Sequence, residues 1–405
     1  MTKKAQRRVG IDWGSETHQV CRLDADGRSK DRRFPHSGEG LKALVDFVVE
    51  GVDHADIVVA IESSQGPVVE ALIAKGLRVF AINPKLLDRL RDRFSMAGAK
   101  DDRRDAFVLA ACVESDAHAF KPIEREDEEV TRLRGATRLL DELKAERRAS
   151  ANRLWNELRE YRPGFLTLCP AADEEWFWAL IEKAPKPAEG ARLAARQIDA
   201  ILKRHRIRRL TGNDIQPILS GDLLAMSPAY IDAHASRALI MVARLKLVQG
   251  QIDEVEKQIQ KGLAARLDKE EKSERRDLTI LLSLPGVGPL TAATALAESG
   301  DAFERRDYNA LRSLCGAAPI TKQSGSTKRV EMRRVCQPRL RVAWHHAARH
   351  AARIDPKLGA LYESGRERGQ SVGRALRNIV DRLLFLAVQL LRRNELYNPE
   401  LRKVA

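Results

Sequence analysis

Apolar runs with strand character stop near residue 121 of this 405-residue chain, and that break constrains the fold more than any other feature. Before it, "RVGIDWG", the alternating "HQVCRLDADG" and, past a turn at Asp26-Gly27, "SKDRRF" make three strands. The amphipathic "GLKALVDFVVEG" follows as a helix, then "DIVVAIES" as a strand, "GPVVEALIAKG" as a helix and "LRVFAINP" as a strand. Three strands running into strand-helix alternation predict an α/β unit, a mixed sheet with helices on its faces.

Beyond the break the pattern turns helical. "EEVTRLRGATRLLDELKAERRASANRLWNELREY" is charged, with apolar positions at helical spacing, and "LKLVQGQIDEVEKQI" places Leu245, Val248, Ile252, Val255 and Ile259 at a and d of a heptad. Two long helices far apart in sequence predict an antiparallel coiled-coil arm with a helical insert, residues 162–235, between them. The last part opens on "LLSLPGVGPLTAATALAESG", a Gly-rich turn between helices, crosses the polar, basic "PITKQSGSTKRVEMRRVCQPRL", and returns to helix from about residue 339 to 394. A chain this long exceeds one core, and the expected division is 1–120, 121–275 and 276–405.

Charge is unevenly spread. The net formal charge is +14, yet residues 1–123 carry 20 basic against 19 acidic groups, whereas residues 301–405 carry 22 against 10. A basic C-terminal end predicts a polyanionic partner, nucleic acid being the commonest in the cytosol. No window approaches the length of apolar run that a membrane span needs, and the N-terminal "MTKKAQRRVGIDWG" enters a strand, so a cytoplasmic protein with no membrane partner is expected. The five cysteines, Cys21, Cys112, Cys169, Cys315 and Cys336, form no CxxC, which predicts neither a zinc site nor a disulfide framework.

The carboxylates carry the chemistry. "VGID" ends in Asp12 and "VVAIES" in Glu62, each where an apolar strand stops at the sheet rim. In "AKDDRRDAF", Asp102 and Asp105 lie three apart at a helix start and share a face, although like charges at that spacing repel. A strand-end Asp alone is an ordinary turn former and a DxxD alone an ordinary N-cap. Together, four acids from three elements suit two divalent cations about 3.5–4 Å apart.

The pattern "GIDWG … AIES … KDDRRDA" resembles the RuvC-like, ribonuclease-H-fold DEDD domain of the insertion-sequence one-ten family of transposases, whose members are guided by a bridge RNA. "LLSLPGVGPLTA", "LCGAAPITKQSGSTKR" and the closing helices "LYESGRERGQSVGRALRNIVDRLLFLAVQLLRR" resemble the same family's transposase domain. The chain departs from the family at Asp101, where threonine is usual, at Trp13, where a smaller residue is common, and at "VCQPRLR", which replaces a usual Gly-Asn. Spacing to Asp105 selects Asp102 over Asp101.

The resemblance implies Mg2+ or Mn2+, two per site, on Asp12, Glu62, Asp102 and Asp105, and Ser324, followed by Gly325, as the nucleophile that joins covalently to DNA. A hydroxyl needs a base, a metal or neighbouring cations to attack phosphorus; Lys322, Lys328, Arg329, Arg333 and Arg334 supply the cations, and the acids of the first domain would complete a composite site. Lys100, Arg103 and Arg104 are expected to meet phosphates. In "LPGVGPL", Gly286 and Gly288 fit a helix-hairpin-helix turn whose amides approach a phosphate, although a turn between two helices needs no ligand. His346 and His350 have the i, i+4 spacing of a metal pair without an HExxH glutamate, so they and His345 are expected in packing or phosphate contacts.

The first expectation is therefore a site-specific DNA transposase with donor and target DNA, a structured guide RNA and a homo-oligomer held through the coiled coil as partners. A RuvC-like Holliday-junction nuclease, which needs only the carboxylates, and a non-catalytic nucleic-acid scaffold are the alternatives; the extra basic module weighs against the former, and four acids facing a polyanion against the latter.

Overall fold

The computed structural model describes residues 7–63, 65–93, 101–116, 120–123, 127–221, 225–273, 276–325 and 327–399. The chain divides into two compact units, 1–127 and 128–405.

In the first unit β1 (Arg7–Asp12), β2 (Thr17–Asp24) and β3 (Ser29–Pro35) form an antiparallel ribbon, followed by α1 (Gly38–Val49) and β4 (Ile57–Ile61). Then come α2 (Pro67–Ala74), β5 (Arg78–Ala81), α3 (Pro84–Asp92), α4 (Asp102–Ser115) and the short β6 (Lys121–Pro122). The sheet order is β3-β2-β1-β4-β5-β6, with β1, β4 and β5 parallel, so the expected mixed sheet is what forms. β4 is buried along its whole length because helices cover both faces, which is why "IVVAI" shows no alternation. Val9, Ile11, Val59 and Ile61 pack with α1 and α2 on one face. Val58, Ala60 and Phe80 meet α3 and α4 on the other.

Gly10 sets the position of α4. A Cβ built there would stand 1.9 Å from the Ala106 carbonyl oxygen and 2.5 Å from the Ala110 nitrogen, so the helix backbone lies directly on the strand. Because side chains alternate along a strand, Gly10 and Asp12 point to the same face. The helix seated on Gly10 therefore carries Asp102 and Asp105 to the end of the strand where Asp12 emerges.

In the second unit α5 (Glu128–Tyr161) pairs antiparallel with α10 (Pro228–Glu270), shown by contacts of Glu129 with Lys269, Glu146 with Arg244 and Glu157 with His234. Leu245, Val248, Ile252, Val255 and Ile259 are all buried. At one end of the pair α6 (Glu175–Lys183), α7 (Pro187–Ala191), α8 (Ala195–Arg204) and α9 (Gly212–Ser220) enclose a core built on Trp176, Phe177 and Trp178. At the other end, Leu133–Leu143 and Val248–Leu263 share a core with α11 (Asp277–Ser283), α12 (Pro289–Glu304) and α13 (Tyr308–Leu314). After β7 (Ile320–Ser324) and β8 (Thr327–Glu331), α14 (Pro338–Ile354), α15 (Pro356–Glu367) and α16 (Val372–Arg393) join that core.

The strand signal vanishes after residue 121 without all strands doing so. β7 and β8 form a two-stranded hairpin from the segment that reads as a polar loop. Nearly every residue in it is exposed, so no apolar alternation records it. Among the described residues no helix is long and apolar enough to cross a membrane.

Candidate functional site

Asp12 and Glu62 stand side by side because β1 and β4 are parallel and in register at Ile11 and Ile61, one residue earlier. Both lie at the carboxyl ends of their strands, where open α/β sheets characteristically place ligands. A cavity of about 310 Å³ opens there, lined by Asp12, Trp13, Gly14, Ser15, Glu16, Thr17, Gln19, Glu62, Asp102 and Asp105. All four acids singled out in the sequence thus meet around one space.

Asp101 takes a different role. It is the N-cap of α4, its carboxylate accepting from the Arg103 backbone N–H at 3.3 Å, and it does not line the cavity. Aspartate and threonine both serve as helix N-caps, so the residue type at 101 suits that role.

Two acids are engaged by arginines. Asp105 is only 1% exposed and accepts from Arg91 Nε and Nη2, the latter at 2.8 Å. Asp102 is exposed and accepts from Arg33 Nη2 at 2.9 Å. Burial works against the charge on Arg91, but its hydrogen bond to Asp105 and the charges of Asp105, Asp88 and Glu62 outweigh that and raise its pKa.

The donor chemistry fits a hard divalent cation, since carboxylate oxygens are what Mg2+ and Mn2+ select. The acids line the cavity without closing on one point: among the described residues no three His, Cys, Asp or Glu side chains form a ready ligand cluster. Arg33 and Arg91 place positive charge against Asp102 and Asp105. Neither arginine is signalled by the sequence, because each reaches the site from a different element, β3 and α3. Arg103 is exposed and Arg104 half-buried on the first turn of α4, while Lys100 lies outside the described residues.

Ser324 belongs to the second unit. It ends β7, pairs with Thr327 across the hairpin turn, and is exposed, with Gly325 in the left-handed region at φ 56°. Among the described residues no side chain hydrogen-bonds its hydroxyl. Lys322 pairs with Glu331 at 2.7 Å, and Arg333 Nε donates to the Ala318 carbonyl at 3.3 Å. Lys328, Arg329 and Arg334 are exposed.

Gly286 has a structural reason to be glycine. Its φ is +76°, and a Cβ there would come 2.3 Å from the Ala347 carbonyl oxygen, so the turn packs against α14. Gly288 is the N-cap of α12 with open space beside it, which leaves that helix start accessible.

Residues 9–163 match a family model for a DEDD transposase of the IS110 kind, and residues 278–363 match one described as transposase of the IS116/IS110/IS902 family. A Streptomyces coelicolor protein assigned as the mini-circle transposase for IS117 is 33% identical over 386 residues, 93% of this chain and 91% of that one. A Sinorhizobium fredii protein assigned as transposase y4uE is 43% identical over 213 residues, 52% of this chain, and the match spans only 59% of that protein. The 43.6 kDa protein of insertion element IS110 from Streptomyces coelicolor is 26% identical over 97% of this chain and 96% of its own length.

Proposed function

Because the chain belongs to the IS110 family of insertion-sequence transposases, we propose that it cuts and rejoins DNA with the four acids of the first unit and Ser324 of the second. The observation that carries this reading is the cavity on which Asp12, Glu62, Asp102 and Asp105 converge. Divalent metal bound there supplies charge neutralisation of the phosphate and a lowered pKa for an attacking or leaving oxygen.

The chain's own residues do the rest. Asp12 and Glu62, fixed by strand register, form the rigid side of the site. Asp105, buried on α4, is held in one orientation by the Arg91 fork, while Asp102, at the exposed start of the same helix, is free to adjust as Arg33 yields. Ser324 Oγ attacks the phosphorus, the proton leaves with a base outside the hairpin, and the bond to the departing sugar oxygen breaks to give a phosphoserine linkage to DNA. Reversal of the same step on a second strand rejoins the ends. Lys328, Arg329 and Arg334 on the exposed hairpin offset the phosphate charge, as the accessible start of α12 at Gly288 does for a neighbouring phosphate.

We further infer that target choice is delegated to a structured non-coding RNA. The support is the family and the absence from the sequence of a helix-turn-helix, zinc finger or other base-reading module, with the charge surplus at the C-terminal end serving a sequence-independent grip. Self-association through the α5–α10 pair belongs to the same reading. Expressing the protein with its flanking DNA, sequencing the RNA that co-purifies and assaying recombination with and without it tests the whole proposal. One defined RNA that redirects insertion when its loops are changed is the expected result; site-specific recombination by RNA-free protein overturns the guidance, and cleavage to free ends alone favours the junction-nuclease reading.

A further inference from the structure

Several arginines that tie helices of the second unit together are matched with acids. Arg312 forks onto Asp381 at 2.9 Å, Arg306 onto Asp277, and Arg339 meets Asp141 at 2.8 Å and Glu298 at 3.0 Å. A group of cations on α14 and α16 is arranged differently. On α14, Arg341, His345, His346 and Arg349 line a groove of about 270 Å³ together with Val342, and Arg377 of α16 faces His345.

Among the described residues no carboxylate pairs with Arg341, Arg349 or Arg377. Arg377 Nη1 instead donates to the Met332 thioether sulfur at 3.1 Å, a weak acceptor in the place a carboxylate or phosphate oxygen would take. The neighbours repel one another. Burial lowers the pKa of His345, and the charges of Arg377, Arg341 and His346 lower it further against the raising effect of its hydrogen bond to the Arg341 carbonyl; burial and Arg374 lower that of Arg377. Cations gathered without counter-ions lower the stability of the fold, and such an arrangement persists where an external anion neutralises it.

We propose that this groove on α14, with Arg377 of α16 beside it, is a binding site for the phosphodiester backbone of DNA. The spacing suits it: Arg341 and Arg349 lie eight residues apart on one helix face, presenting two guanidinium donors instead of a single point, while His345 between them donates its Nδ1–H to the Arg341 carbonyl at 2.9 Å. Arg forks are the side chains best matched to phosphate oxygens, and the exposed Val342 offers an apolar wall to sugar. Met332, which touches Arg377, directly follows β8, so the groove adjoins the base of the hairpin that carries Ser324. That position selects the DNA strand at Ser324 over a guide RNA. The transposase reading enters only in this choice of polyanion; the grip itself is sequence-independent.

The test replaces Arg341, Arg349 and Arg377 together with glutamine in the full-length protein and follows fluorescence anisotropy with a labelled duplex DNA and, separately, a labelled single-stranded RNA, both of mixed sequence. Duplex affinity should fall roughly tenfold or more, and the slope of log affinity against log salt should flatten by about 0.9 for each phosphate that is no longer neutralised. RNA affinity should hold, and the melting temperature should stay level or rise because repulsion is removed. The triple Lys variant should retain most of the salt slope. Unchanged duplex affinity and slope, loss of RNA binding in place of duplex binding, or a fall in melting temperature showing that the arginines are structural would each overturn the proposal. Since binding alone is read, the outcome is independent of whether the acids cut DNA.

Discussion

Arg91, on α3, donates Nε and Nη2 to the two carboxylate oxygens of Asp105, on α4, and that carboxylate is almost completely shielded from water. A buried acid is tolerable only when paired, and here the pair also fixes the helix that carries the DxxD motif. The fork holds Asp105 in orientation at the cavity it shares with Asp12 and Glu62.

Arg91→Gln should cost about 3 kcal/mol of folding stability, because it strands a buried carboxylate. Adding Asp105→Asn to that variant should recover part of the loss. Urea denaturation of the three proteins measures both steps; equal stability of Arg91→Gln and the parent would show the fork to be incidental.

Asp12→Ala, Glu62→Ala, Asp102→Ala and Asp105→Ala should each abolish metal-dependent DNA cleavage. Asp101→Ala should keep cleaving while its stability falls by about 1 kcal/mol, since α4 then has no side-chain cap. A cleavage assay with Mg2+ on the panel separates them, and an active Asp102→Ala beside a dead Asp101→Ala would exchange their roles.

Incubation with DNA and Mg2+ should trap an adduct that survives denaturant, absent in Ser324→Ala. Ser326, which lies outside the described residues, should be replaceable by alanine with the adduct retained. Denaturing gel electrophoresis with and without protease treatment checks this, and an adduct formed by Ser324→Ala would remove Ser324 from the chemistry.

Gly10→Ala should destabilise the first unit by about 3 kcal/mol, since its methyl would overlap the α4 backbone and displace the acids on it. Cleavage should fall together with the melting temperature. A fully stable Gly10→Ala protein would mean α4 does not sit on the strand as described.

Stability should also depend on pH through His18. It is fully buried, its Nε2 lies 2.9 Å from His36 Nδ1, and burial with the neighbouring His36 charge holds its pKa below the ordinary 6.5. A histidine lowered in this way takes up its proton more readily in the unfolded chain, so stability is complete above pH 6.5 and falls as pH drops below it. His345 is lowered in the same direction, so His18→Gln should reduce the slope between pH 7 and pH 5 without abolishing it. Denaturation midpoints across that range provide the check, and an unaltered slope in His18→Gln would exclude it.

Much of the first unit is legible in the sequence because its signals are local. The alternation of "HQVCRLD" and the apolar run of "IVVAI" write the strands, Asp12 ends one strand and Glu62 directly follows another, and the spacing of three sets Asp102 and Asp105 on one helical face. The heptad positions from Leu245 to Ile259 likewise announce the buried seam of α10. The hairpin around Ser324 escapes this logic, since a ribbon exposed on both faces buries nothing and leaves no periodic trace.

Sequence alone therefore determined which residue types could bind metal or attack phosphorus, and on which kind of element each of the four acids would stand, because strand and helix periods are properties of near neighbours. Tertiary structure alone decided that Arg91 would neutralise Asp105 from another helix, that α4 would rest on Gly10, and that the cations of α14 and α16 would gather without acids. Those relations join residues far apart in the chain, and they are set by which faces pack together and how closely, which no local pattern encodes.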